Sequence, residues 1–453
     1  MKKQKKGMHI GHLYLKCRPV TIVLICLIVL ALVAGAGFMF RDEIMGVIDD
    51  ITKKSDGNVV VQTATQEPAE AIVTNSPTPV APTPTPEPTA EPTPTPTPEP
   101  RSATVRFIGE IAVDENILAA GLQADGSYSF NDMMVMASGA VGNADYTIAN
   151  VEGALGGIGE GYTGKKLYNT PEIIINELKS IGVDMLALAN DHALDAGMNG
   201  LLGTITHCQE AGMEYVGAAA TKEEHDTPKI VDIGGIKVSF LNYTTTLNSM
   251  EKKTTEDAVK YGVNLAKYSD SRADAAAARE AGAEVVIAIV SWSEDGATKI
   301  DSVQKQVAQI LLDSGVDVIV GYGSRNTQAV MWLDTTDEEG NVTDSTLCVC
   351  SVGSFLSSST EDNMDFGTIF ELTLSEKADG TIVIENPTSI PTYVWTYTEG
   401  EGEEAKTGYR VLTCGEWLEE QPEGMSDEAY SRLNRIWENM PGIVTDASTV
   451  EMN

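Results

Sequence analysis

The chain has 453 residues, enough for two domains of ordinary size, with 31 Lys+Arg against 66 Asp+Glu and a formal net charge of −35 at pH 7. So acidic a surface excludes nucleic acid and anionic lipid headgroups as general partners. The six cysteines show neither a disulfide framework nor zinc-ligand spacing, which excludes a stapled or zinc-ribbon module.

Residues 1–19 form a basic segment: Lys2, Lys3, Lys5, Lys6, Lys16 and Arg18 stand there without an acid. Beyond them 25 cations face 66 acids, a balance of −41. Residues 20–40 are apolar apart from Thr21, and at ~1.5 Å per residue they make about 31 Å of helix, the thickness of a bilayer core. With cations before it and Arg41, Asp42 and Glu43 after it, this segment reads as a single-pass cell-membrane anchor with the C-terminal part outside. The alternative is a cleaved signal peptide ending at Ala34-Gly35-Ala36, although such apolar regions usually run about 7–15 residues.

Residues 41–101 are a polar, Pro/Thr-rich stalk, with Thr-Pro and Glu-Pro repeats from Ser76 to Pro100. Proline at nearly every second position fixes φ and removes donors. At ~3.1 Å per residue the repeats extend roughly 75–80 Å. A passive spacer is the preferred reading, with a ligand for a proline-binding module as the alternative.

Residues 102–399 alternate strand and helix patterns. Strands are expected at 104–108, 146–149, 185–189, 237–242, 285–290, 316–320 and 346–351. Thr170-Pro171-Glu172 reads as cap, first-turn proline and first-turn acid before a stripe of Ile174, Ile175, Leu178 and Ile181. Asp301–Gln304 resembles a capping box, and Gly315 ends the following helix. Cys348 and Cys350 share one strand face as buried thiols. His207 is expected at the surface and His225 in a polar loop, 222–229. After Gly353, 368–374 and 381–385 flank Ala378-Asp379-Gly380 as a hairpin. An acidic extension, 400–453, carries a helix near 427–439. The alternation predicts an α/β fold with a buried, partly parallel sheet.

Several apolar strands end in polar clusters: Gly109-Glu110; Asn150-Val151-Glu152; Asn190-Asp191-His192 with Asp195; Ser291–Asp295; and Gly321–Asn326. The carboxyl ends of parallel strands share one edge, so these corners can converge. Carboxylates, an amide and an imidazole suit Mn²⁺, Mg²⁺ or Zn²⁺. Each residue also has a structural reading. His192 and Asp195 can pair to cap the next helix, Asn190 can be a turn residue, and Asn150 and Glu152 can cap a loop.

In this order the motifs resemble the CapA family of capsule-biosynthesis proteins, linked to poly-γ-glutamate synthesis. The resemblance spans roughly residues 104–395 and implies a metallophosphatase-like, mixed-sheet sandwich with flanking helices. Asn150–Glu152 keeps the family's Asn-x-Glu. Ala189-Asn190-Asp191-His192-Ala193-Leu194-Asp195-Ala196-Gly197 resembles its Ala-Asn-Asn-His element, with Asp191 for the second Asn and the Asp one place early. Gly212–Ala218 and Ser351–Phe355 resemble two further elements, and Gly109-Glu110 stands where relatives have Gly-Asp.

Two histidine elements are missing. Ser291-Trp292-Ser293 replaces a His-x-His-Trp, and Gly321–Asn326 replaces a Gly-His-His or similar run. With His192 as the one imidazole at the strand ends, a two-metal centre is not expected. The candidate set is His192 and Asp195 as acid–base residues, Asn150, Asn190 and Arg325 as ligand-binding residues, and Glu110, Glu152 and Asp191 around at most one divalent cation. Arg325, where relatives place imidazoles, suits a carboxylate or phosphate, or neutralises Glu152 or Asp191. The resemblance implies a role in making, exporting or anchoring an acidic surface polymer such as poly-γ-glutamate, alone or with a polymer-synthesis complex. Binding is preferred over catalysis, and a residual one-metal hydrolase is the alternative. Because the chain is so acidic, polymer binding requires cations in the groove, for which Lys165, Lys166 and Arg325 are the candidates.

Overall fold

A computed structural model describes residues 100–440, apart from 255, 268, 293, 338, 401, 403 and 404, together with a short antiparallel pair, Met8–Ile10 with Leu13–Leu15. The expected anchor at 20–40, nearly all of the stalk and residues 441–453 lie outside the described residues. Among those described, no helix is long and apolar enough to cross a membrane.

Thirteen strands of residues 102–413 build two mixed sheets. The first contains β1 (Ser102–Ile111), β2 (Tyr146–Val151), β3 (Met185–Ala187) and β4 (Glu214–Val216) in parallel, extended antiparallel by β11 (Phe366–Glu376), β12 (Ile382–Glu399) and β13 (Lys406–Thr413). Its order is β13-β12-β11-β1-β2-β3-β4. The second contains β5 (Lys229–Ile233), β6 (Ile236–Thr244), β7 (Val285–Ser291), β8 (Val318–Tyr322), β9 (Val330–Thr336) and β10 (Val342–Val349), ordered β9-β10-β8-β7-β6-β5. Here β6, β7, β8 and β10 run parallel, with an antiparallel strand at each edge.

The period of two along each strand sends alternate side chains to opposite faces. Val105, Phe107, Ile148 and Phe370 meet Val238, Phe240, Ile287 and Val320 between the sheets. The outer face of the first sheet packs on α1 (Ile173–Ser180) and α2 (Gly197–Ala211). That of the second packs on α3 (Ser271–Glu280) and α4 (Ser302–Asp313), through Ala275, Ala278, Ala308 and Leu311. The layers are therefore helices, sheet, sheet, helices: a mixed α/β sandwich with flanking helices. Strands buried on both faces explain the unbroken apolar runs in the sequence.

The capping box at Asp301 and Gln304 is present, and so is the hairpin of β11 and β12. Cys348 and Cys350 are buried free thiols with Sγ atoms 3.9 Å apart. Other expectations need correction. Thr170 does not cap α1: its hydroxyl is buried with no hydrogen-bond partner among the described residues, and the helix starts at Ile173 behind Glu172 without a side-chain cap. His225 lies in a short helix, Lys222–Asp226, that Thr221 caps. His207 is half-buried, with Nδ1 2.6 Å from the Leu155 carbonyl oxygen. The stretch after 399 is not an appendage. β13 pairs with β12, and α5 (Asp427–Asn439) buries Leu433 and Ile436 against Tyr393, Trp395 and Leu412. Arg432 fixes that helix to Asp365 at 2.5 Å. The helix lies where the sequence places it, near 427–439, while the strand before it was not expected.

Candidate ligand site at the strand ends

The two sheets bring their carboxyl-terminal strand ends to one edge, and buried side chains stitch them there. Asn242, fully buried on β6, accepts from the Ala189 N–H at 2.8 Å and donates to the carbonyls of Ala189 and Ile289. It thereby ties the loop after β3 to the second sheet. Gly217 makes room for it: at φ 89°, a Cβ there would lie 2.1 Å from Asn242 Oδ1. Glycine is the residue that tolerates both the conformation and the approach.

The loop after β3 then turns on Asn190, whose Oδ1 accepts from the N–H groups of Gly153 and His192 while Nδ2 donates to Val151. Both ends of this amide are engaged by backbone. Asn190 is a clamp of the loop, not the ligand-facing group expected of it.

His192 follows, with Nδ1 2.5 Å from Asp195 Oδ2 and Nε2 3.4 Å from both Glu152 Oε1 and Asp191 Oδ2. Asp195 also accepts from the N–H of Tyr168 at 2.7 Å and from Asn248 Nδ2 at 2.9 Å. Three donors hold this carboxylate, which in turn fixes the ring's orientation; Asp195 is a positioning residue. The Tyr168 ring stands edge-on to the imidazole, centroids 4.7 Å apart.

Arg325 enters from the end of β8. Its backbone sits in the left-handed region, φ 54°, a conformation that a non-glycine residue keeps only when its surroundings hold it. Glu110 supplies the hold: Oε1 accepts from the N–H groups of Gly323 at 2.7 Å and Arg325 at 3.2 Å. The Glu110 carbonyl in turn accepts from Phe355 and Leu356, which explains the Ser351–Phe355 motif. Arg325 Nη2 then donates to Glu152 Oε1 at 2.6 Å, and Nε lies 3.2 Å from Asp295 Oδ1.

Thus all five strand-end corners meet. Glu152, Asp191, Asp195, His192 and Arg325 come together, Glu110 acts on the turn that carries Arg325, and Asn150 is buried beside them on β2 with no hydrogen-bond partner for its amide among the described residues. Asn242 and Asn248 carried no signal in the sequence, each being a lone amide in an ordinary context.

The electrostatics follow from this crowding. Burial opposes a charged His192, but the hydrogen bond to Asp195 and the charges of Glu152, Asp191 and Asp195 outweigh it and raise the ring to about 9. Burial, then the charge of Glu152, raises Glu110 to about 8. Both folded-state values lie above the ordinary ones, so both groups favour the folded state at low pH and lose that contribution as pH rises. Stability in a chelator-containing buffer is expected to fall from about pH 4.5 to 8 through Glu110 and from about 6.5 to 9 through His192. Denaturant unfolding at intervals checks it, and His192→Gln should flatten the upper part of the fall.

One ion fits the donor set. Glu152, Asp191 and His192 each offer a ligand atom, and the three lie within 4.8 Å of one another. Glu152 Oε2 is buried without a partner among the described residues, and the Asp195–His192 pair is the kind of support a ligating imidazole uses. A second ion does not fit. Among the described residues no other imidazole joins this group, and the Arg325 guanidinium already lies against Glu152.

Beside the cluster opens a cleft of about 440 Å³ bordered by Lys165, Lys166, Tyr168, Arg325 and Ser358–Thr360, with Asp114, Glu115 and Glu361 also on its rim. Lys165 is exposed and paired with Glu115 at 3.0 Å. Asn248 Nδ2 bonds both the Lys166 carbonyl and Asp195, joining the cleft wall to the His192 support.

The family described as "Bacterial capsule synthesis protein PGA_cap" matches residues 104–359. The capsule biosynthesis protein CapA of Bacillus anthracis is 26% identical over 151 residues, covering 33% of this chain and 37% of that protein. The PGA biosynthesis protein CapA of Bacillus subtilis (strain 168) is 24% identical over 153 residues, covering 33% and 38%. The chain thus spans under two-fifths of the length of each of these relatives. A solved structure of a hypothetical protein from Thermus thermophilus is 17% identical with a TM-score of 0.36, covering 64% of this chain and 99% of that one.

Proposed function

The chain belongs to the bacterial capsule synthesis protein family PGA_cap, and from that premise we propose that it acts in the synthesis, export or anchoring of an acidic capsule polymer such as poly-γ-glutamate. It does so as an extracytoplasmic protein anchored by residues 20–40, and by binding the polymer. The observation that carries this reading is the grouping of Arg325, Lys165 and Lys166 around one cleft beside the strand ends. An acidic head repels a polyanion except where cations gather, and the three cations border one cleft, interleaved with Asp114, Glu115 and Glu361. Arg325, held against Glu152 and Asp295, contributes positive charge at the cleft, Tyr168 forms a rigid wall, and the two lysines offer ammonium groups to successive side groups of an extended chain.

The test is retention of poly-γ-glutamate by the purified full-length chain at low salt. Binding is expected to weaken about tenfold or more in Lys165→Glu/Lys166→Glu, and to fall as salt rises, since exposed charges are screened. Binding that is insensitive to both changes overturns the proposal.

A second reading, a one-metal hydrolase of metallophosphatase-like type, is favoured by the mutual approach of Glu152, Asp191 and His192. A bound Mn²⁺, Mg²⁺ or Zn²⁺ supplies a Lewis acid and an activated water. On that reading Glu152, Asp191 and His192 Nε2 hold the ion, Asp195 keeps the imidazole oriented, and Arg325 binds the anionic substrate.

A further inference from the structure

Three sulfur-bearing side chains meet on the outer face of the second sheet, beneath α4. Cys348 on β10 and Cys350, just past its end, stand two residues apart and so share a face. Their Sγ atoms are 3.9 Å apart, and neither is in a disulfide. Met331 on β9 pairs directly with Cys348 across the ladder, which sets the two side chains next to each other. All three are buried. Close packing would press apolar groups against each sulfur, but here the three border a void of about 10 Å³, with Trp292, Lys305 and Ala308 around it. That is room for one atom-sized occupant. Among the described residues no carboxylate or imidazole borders the void. The Gln304 amide there is engaged: Oε1 accepts from the Asp301 N–H, and Nε2 donates to Gln328 and to the Cys350 carbonyl.

We propose that this void binds one copper(I) ion, held by Cys348, Cys350 and Met331. Thiolate and thioether sulfurs are soft donors and select a soft monovalent ion over hard cations, which need oxygen ligands. The separation of the thiols sets the geometry. With metal–sulfur bonds of about 2.3 Å, sulfurs 3.9 Å apart subtend an angle of about 115° at the ion. That is close to a trigonal arrangement, and it leaves a third place for the Met331 thioether. Zinc is a poorer occupant, because a structural zinc site takes four ligands and no fourth borders the void. As the ion enters, the two thiol protons pass to solvent. The resulting single negative charge is offset by half-buried Lys305 on the rim.

Anaerobic titration of the reduced, full-length chain with copper(I), in competition with the chromophoric chelator bicinchoninate, tests this. One equivalent is expected to be held against the chelator, with an all-sulfur, three-coordinate shell at the copper X-ray absorption edge. Cys348→Ala/Cys350→Ala should lose that equivalent, whereas Cys17→Ala/Cys26→Ala and Cys208→Ala/Cys414→Ala should keep it. Met331→Leu is close in volume and lacks the sulfur. It should weaken binding by about tenfold or more, the least that loss of a supporting partner brings to a metal site, and it serves if the cysteine variant fails to fold. The proposal is overturned if the chelator takes all the copper, if a folded Cys348→Ala/Cys350→Ala retains the equivalent, if Met331→Leu binds like the parent, or if oxygen or nitrogen completes the shell. The inference is independent of polymer binding at the strand ends.

Discussion

Arg325→Ala is expected to destabilise the head by about 3–5 kcal/mol, because removing one partner of a buried ion pair strands the other charge. The side chains of Arg325 and Glu152 are only 7% and 3% exposed, so water cannot replace the lost partner. Glu152 would be left with an Oε2 that has no partner among the described residues and an Oε1 facing only His192. Chemical denaturation reads this directly. The companion variant Arg325→Met/Glu152→Leu separates the pair's net worth from the penalty of stranding one charge. Replacing a whole buried pair with apolar groups of similar size is often near neutral, so the double variant should recover most of the loss. Polymer binding should not recover with it, since the guanidinium is absent in both.

Asn242→Ala should cost about 2–4 kcal/mol, the sum of an unsatisfied backbone N–H, two under-satisfied carbonyls and a small cavity. Its second effect is local. Ala189 immediately precedes the Asn190–His192 turn, so freeing its backbone loosens the His192–Asp195 pair as well. Imidazole resonances followed by NMR should show His192 titrating closer to its ordinary value of 6.5 in the variant. A variant that unfolds like the parent contradicts the role of Asn242 as a stitch between the sheets.

The strand ends were legible because burial on both faces forces an unbroken apolar run, and the run must stop where the chain leaves the sheet. Met185 onward and Val285 onward show this plainly, and their polar corners do converge. Arg325 was legible for the same reason: a cation at the end of such a run has few harmless places to go. What individual carboxylates do there was not legible. Glu110 and Glu152 read alike in sequence, yet one clamps a turn through backbone N–H groups and the other faces Arg325 and His192. That difference is set by pairing across 213 and 173 residues of chain, which no local pattern records. Asn242 was hidden similarly, since its partners lie on other strands. Thr170 failed as a cap because the helix begins only at Ile173, behind Glu172, so its hydroxyl meets no first-turn N–H. The C-terminal helix was legible at 427–439, whereas the strand Lys406–Thr413 was hidden behind the acidic, glycine-rich run that precedes it.

The central claim is that the strand-end site holds an acidic polymer without cutting it. The most direct measurement is the chain length of poly-γ-glutamate incubated with the full-length protein and Mn²⁺, followed over time beside a His192→Ala variant. The account predicts that the polymer is retained at its original length by the parent protein. Shortening that depends on the metal and disappears in His192→Ala would contradict it and establish the hydrolase instead.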